Sequence, residues 1–76
     1  MFSKELFGER LRYTRNRAGE SQRVIADKLG ITVTQISDME NGKKTTTAEK
    51  IALICEHYKI SADYLLGLTD EPRSFQ

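Results

Sequence analysis

A chain of 76 residues, 38% hydrophobic, with six aromatics and no tryptophan, suffices for one domain around one small core, and a domain this size buries only about 60% of its unfolded surface. A single cysteine, Cys55, excludes an internal disulfide and makes no zinc set with the lone His57. No apolar run approaches the roughly 18 residues of a membrane span, and no secretory signal is visible.

These features predict a soluble, cytoplasmic chain in a reducing compartment, with Cys55 acting as a small hydrophobe on a helix rather than as a reactive thiol. The net charge is +1, but it is unevenly spread. Residues 1–44 hold nine Lys/Arg against six Asp/Glu; residues 45–76 hold three against five. That asymmetry suits a molecule with one phosphate-facing side, and a solvated mixed-charge surface gives similar totals.

In chain order, Ser3 caps a helix running to about Ala18, with Leu6, Phe7, Leu11 and Thr14 on one face, and Gly19 stops it. Ser21 caps a second helix that ends at Leu29-Gly30; Val24, Ile25, Ala26 and Leu29 supply its apolar face. Thr32 with Gln35 forms a capping box for a third helix, on which Val33, Ile36 and Met39 recur at i, i+3, i+6, and Asn41-Gly42 ends it. Lys43 to Thr46 reads as a loop. Thr47 caps a fourth helix, Ala48 to Tyr58, whose Ile51, Ala52, Ile54, Cys55 and Tyr58 form an apolar stripe. Ser61 caps a short fifth, Ala62 to Leu66, stopped by Gly67. No β alternation or repeat is present. The result is an all-α domain of five short helices over residues 1–68, with 69–76 as a solvated tail or the start of a linker.

The second and third helices are too short to persist alone in water, so they must pack together across the Gly30-Ile31-Thr32 hinge. That packing leaves the polar side of the third helix, with Thr32, Thr34, Gln35, Ser37 and Asp38, protruding. A helix of that kind fits a DNA major groove about 12 Å wide. No catalytic site is expected: Cys55 and His57, two residues apart on one helix, point to different sides, and no Gly-rich phosphate loop follows a strand. No cofactor or metal is implied.

The residues Phe7-Gly8-Glu9-Arg10-Leu11, Arg15, Gly19, Ser21-Gln22, Ile25-Ala26, Leu29-Gly30-Ile31, Ile36-Ser37, Glu40-Asn41-Gly42 and Ile60 to Gly67 resemble the phage-repressor (Cro-like, xenobiotic-response-element) helix-turn-helix family. The likeness covers residues 6 to 68. It implies a five-helix, lambda-repressor-like domain of a bacterial or phage transcriptional regulator, usually a repressor, that binds double-stranded DNA at a palindromic operator as a homodimer. An antitoxin or anti-repressor that uses the same fold to bind a protein is the alternative. The chain departs from the family pattern at Thr14 and Glu20, where leucine is common, and at Thr46, where proline is frequent. Its third helix also lacks Arg and Lys, and Asp38 stands where residues often face DNA.

By analogy with the family, Thr32, Val33, Thr34, Ser37 and Asp38 lie nearest the base edges. Val33 and the threonine methyls suit a thymine methyl, the hydroxyls suit several bases, and Asp38 suits a cytosine amino group; Thr32 as a pure cap and Asp38 as a solvated residue are the bland readings. Gln22, at a helix N-terminus, is placed to meet a phosphate, as are Asn41, Lys43 and Lys44 after the third helix, with Arg17 and Arg23 as weaker candidates. The resemblance also implies that Arg15 and Glu40 form a partly buried ion pair between the first and third helices. Tyr64, Leu66 and Leu68 form an apolar end of the domain, either a two-fold interface or the floor of the core, with Leu65 inside.

Overall fold

Five helices account for the architecture: α1 (Lys4–Arg17), α2 (Gln22–Leu29), α3 (Val33–Glu40), α4 (Ala48–Tyr58) and α5 (Ala62–Leu65). The structure is a computed structural model and describes residues 1–73. Ser3, Thr32, Thr47 and Ser61 each accept a hydrogen bond from the backbone N–H three residues on, so four of the five helix starts are set by a local side chain. Ser21 holds the cap position of α2 in extended backbone but makes no side-chain bond.

The helix ends share one design. Each is closed by a bond from an N–H to the carbonyl five residues back, as in Ile31 N to Ala26 O (3.0 Å) and Lys43 N to Asp38 O (2.9 Å). The turn needs a residue at positive φ. Glycine supplies it after α1, α2, α3 and α5, and Lys59, at φ 59°, supplies it after α4. α1 stops at Arg17 and α5 at Leu65, one residue short of the boundaries read from sequence, because Ala18 and Leu66 serve as their caps.

The core is built from one face of each helix: Phe7 and Leu11 of α1, Ile25, Ala26 and Leu29 of α2, Ile36 and Met39 of α3, Ile54 of α4 and Leu65 of α5. Burying a side chain of this size contributes about 1.5–3 kcal/mol. The stripes differ from the expected ones at their margins. Val24 is 41% exposed, since the core reaches α2 through Ile25, Ala26 and Leu29 only. Ala52 is exposed, Thr14 is half-buried, and Ile54 is the single fully buried residue of α4. Cys55 is half-buried, and burial pushes its thiol pKa up, away from reactivity.

Residues 69–73, expected as a solvated tail or the start of a linker, are fastened to the helices while Asp70, Pro72 and Arg73 remain exposed. Arg10 of α1 reaches across to donate to the carbonyls of Tyr64 and Thr69 and to Asp70 Oδ1 (2.7 Å). Ser61 N donates to Pro72 O (2.9 Å), and Ile60 pairs with Arg73 in an isolated antiparallel bridge. The segment is therefore fastened to α1 and to the start of α5. The rest of the expected tail, residues 74–76, lies outside the described residues.

Candidate nucleic-acid interface

α2 and α3 meet across a turn in which Gly30 adopts φ 69°, ψ 32°, a left-handed conformation that glycine enters without Cβ strain. Thr32 follows in extended backbone and opens α3. Its Oγ1 accepts from Gln35 N (3.0 Å) while Gln35 Oε1 accepts from Thr32 N (2.9 Å) and lies 3.2 Å from the Thr32 hydroxyl. The Thr32 hydroxyl is thus used within the cap, and the residue is exposed. Ile36 and Met39 anchor α3 in the core, and Val33 packs half-buried against it. Thr34 and Gln35 are exposed; Ser37 and Asp38 are half-exposed on the same polar side. Lys43 and Lys44 are exposed directly after the helix.

The far end of α3 is locked to α1. Residues 8, 12 and 15 recur at i, i+4, i+7 and form one stripe of α1. At its start, Gly8 touches α3 so closely that an added Cβ would lie 2.1 Å from Met39 O. At its end, Arg15 Nε donates to Glu40 Oε2 (2.6 Å) and Nη2 to Oε1 (3.0 Å), while Nη1 donates to Glu20 O (2.7 Å). Gln22 Nε2 donates to Glu40 Oε1 (3.1 Å), and Arg12 Nε stands 3.6 Å from the same oxygen. Burial alone would push the Glu40 carboxyl up, but the hydrogen bonds from Arg15 and Gln22 and the charges of Arg15 and Arg12 hold it below the usual carboxylate range. The hydrogen bond to Glu40 raises the Arg15 pKa in turn.

Gln22, expected at a phosphate, directs its amide nitrogen inward to Glu40, and its N–H2 retains one further proton for an outside acceptor. Arg23 is exposed in the first turn of α2. Arg17, the other weaker phosphate candidate, is placed elsewhere. Two residues beyond Arg15, it lies on the opposite side of α1, because a helix turns about 100° per residue. Its guanidinium sits 5.7 Å from the Tyr13 ring, in a groove of about 520 Å3 lined also by Tyr58, Lys59, Pro72 and Arg73, away from α3.

Of the two readings of the apolar end, Tyr64 fits the floor of the core. It is 9% exposed, and the Arg10 guanidinium covers its ring at 4.3 Å. Leu66 is half-buried, and Leu68, 72% exposed, is the apolar side chain this end presents.

Sequence reasoning missed three contacts. Arg12 shares the α1 face of Arg15, and that i, i+3 spacing was the available signal. Arg10, which clasps the 69–73 segment, carried none. Glu20, where the family commonly has leucine, pairs with His57 Nε2, 3.0 Å from both carboxylate oxygens, bridging the α1–α2 turn to α4. Beside it, the buried Tyr58 hydroxyl has no hydrogen-bond partner among the described residues, and burial together with the Glu20 carboxylate pushes its ionisation up.

Among the described residues, no helix is long and apolar enough to cross a membrane, and no cluster of His, Cys, Asp and Glu could hold a metal.

This arrangement is shared with known proteins. The helix-turn-helix family model matches residues 11–65. The chain belongs to the helix-turn-helix family. Two relatives from Bacillus subtilis (strain 168) are HTH-type transcriptional regulators: YobD is 31% identical over 67 residues, covering 88% of this chain, and ImmR is 33% identical over 60 residues, covering 79%. The matched part makes up 60% and 47% of those regulators, so the helix-turn-helix domain described here spans about half to three-fifths of their length.

Among solved structures, the P22 c2 repressor in complex with a synthetic operator superposes with a TM-score of 0.75 at 28% identity, covering 80% of this chain and 92% of that one. The restriction-modification controller protein C.AhdI from Aeromonas hydrophila gives 0.73 at 26%, covering 82% and 94%. The clp gene regulator ClgR from Corynebacterium glutamicum gives 0.76 at 27%, covering 83% and 67%. The fold is the five-helix, lambda-repressor-like one.

Proposed function

We propose that this chain is the sequence-specific DNA-binding domain of a transcriptional repressor, acting in the cytoplasm of a bacterium or on behalf of a phage. The observation that carries the reading is the exposed polar side of α3, flanked by Lys43 and Lys44 and held to α1 by a Glu40 side chain with no solvent exposure. Thr34, Ser37 and Asp38 face the base edges, joined by the methyl of Thr32 and the edge of Val33. Gln22, Asn41, Lys43, Lys44 and Arg23 serve the phosphates. The likeness to a repressor solved with its operator supports this division.

The chain binds as a homodimer through the end that carries Leu66 and Leu68. Its recognition helices then stand about 34 Å apart, one DNA turn, and the operator is a palindrome with that spacing. Selection of bound fragments from the host genome, followed by footprinting and sedimentation with and without DNA, tests the whole reading. Enriched palindromes bound by two chains are expected. Failure to retain any duplex, together with co-purification of a small protein partner, would replace it with an antitoxin or anti-repressor role.

A further inference from the structure

We propose that Arg12 is a positioning residue for DNA readout: through Asn41 it fixes which polar atoms at the end of α3 face the DNA, an inference that rests on the DNA-binding reading above. Arg12 Nη2 donates to Asn41 Oδ1, and Asn41 Nδ2 stands 3.4 Å from Ser37 Oγ. An asparagine amide can turn over and exchange its oxygen and nitrogen, but a guanidinium only donates. The oxygen must therefore face Arg12, and the N–H2 group must face away from it.

Two consequences follow at the interface. A phosphate offers acceptors alone, so Asn41 meets it with a donor, whereas the turned-over amide would present a carbonyl to an anion. Ser37 accepts from Asn41, which leaves the serine proton to be given outward. The relay from Arg12 through Asn41 to Ser37 thus ends in a donor aimed at an acceptor such as guanine O6 or N7 or thymine O4. Asn41 is the C-cap of α3, and its own N–H donates to Ser37 O (2.9 Å), so its backbone is fixed and the amide rotation is what remains to be set.

The role needs an arginine. The same guanidinium that holds Asn41 places Nε 3.6 Å from Glu40, a two-sided reach that a lysine ammonium cannot reproduce. The Arg12 side chain is 47% exposed, against none for Glu40, so its removal leaves the core intact.

The test compares Arg12→Lys, Asn41→Ala and the double variant on a duplex enriched from a random-sequence pool by the unaltered chain, over a range of salt. Arg12→Lys keeps the charge. It should nevertheless bind about two- to ten-fold more weakly, the effect of one net hydrogen bond, with an unchanged salt slope and thermal midpoint. Asn41→Ala should lose a similar factor, and the double variant should be no weaker than Asn41→Ala alone. Arg12→Lys binding like the unaltered chain, losses that multiply in the double variant, or a loss that tracks a lowered midpoint would each overturn the role. An unaltered chain that enriches no duplex overturns the DNA-binding reading itself, a result distinct from these.

Discussion

Arg15 grips Glu40 with two nitrogens, at 2.6 and 3.0 Å, across the junction of α1 and α3, and the carboxylate it holds is wholly removed from solvent. A buried charge survives only when its lone pairs are met, and Gln22 meets the remaining demand from α2. Three helices therefore converge on one carboxylate. The third helix, which has no basic residue in its last turn, receives its terminal cations from α1 instead.

Arg15→Ala should destabilise the domain by about 3–5 kcal/mol, because it strands a buried carboxylate rather than merely removing a contact. That is a large part of the roughly 5–15 kcal/mol typical of a folded domain. Urea unfolding followed by circular dichroism measures it, and Arg15→Ala combined with Glu40→Gln should recover part of the loss.

Acid should weaken the fold through the same group. The folded Glu40 carboxyl titrates below its unfolded value of about 4.3, so its stabilisation is complete above that pH and is lost as pH falls through the lower folded value. Thermal midpoints recorded from neutral pH downward should drop more steeply below about pH 4.3 in the unaltered chain than in Glu40→Gln.

Gly8→Ala should destabilise despite the helix propensity it gains. The new methyl carbon would meet Met39 O at 2.1 Å and Glu40 O at 2.8 Å, both backbone atoms with no rotamer to change. The gain of about 1 kcal/mol in propensity is outweighed by an overpacking cost of about 1–3 kcal/mol or more. A raised thermal midpoint would show that α1 and α3 separate more easily than this contact implies.

Lys59→Gly should act in the opposite sense. Lys59 pays the left-handed penalty at φ 59° that glycine avoids in the equivalent turn of the other four helices. After the entropy that glycine adds to the unfolded chain, a net stabilisation of about 0.5–1 kcal/mol is expected, read as a higher urea midpoint.

Lys43→Ala should weaken binding to all duplexes alike and reduce the salt slope by about one counterion, while Thr34→Ala should weaken binding to the selected operator more than to unrelated DNA. Titrations at several salt concentrations against both kinds of duplex separate the two behaviours.

The helix boundaries, the hinge and the capping box were legible in the linear order of residues, because caps and stops act over three to five positions and carry their partners with them. Thr32 finds Gln35, and Gly30 closes α2, with no help from the rest of the chain. The inward face of α3 was legible for the same reason, since Ile36 and Met39 follow the helical period. What needed the folded molecule was the choice among distant partners. Arg12 meets Asn41 at a separation of 29 residues, Glu20 meets His57 at 37, and Arg10 meets Asp70 at 60. Spacing puts Arg12 on the face of Arg15, but neither charge nor spacing names the distant partner in any of these pairs. They arise because packing the apolar stripes of five helices leaves each α1 arginine one direction to reach, which sends Arg15 and Arg12 to α3, Arg10 to residues 64–70, and Arg17 to the groove beside Tyr13.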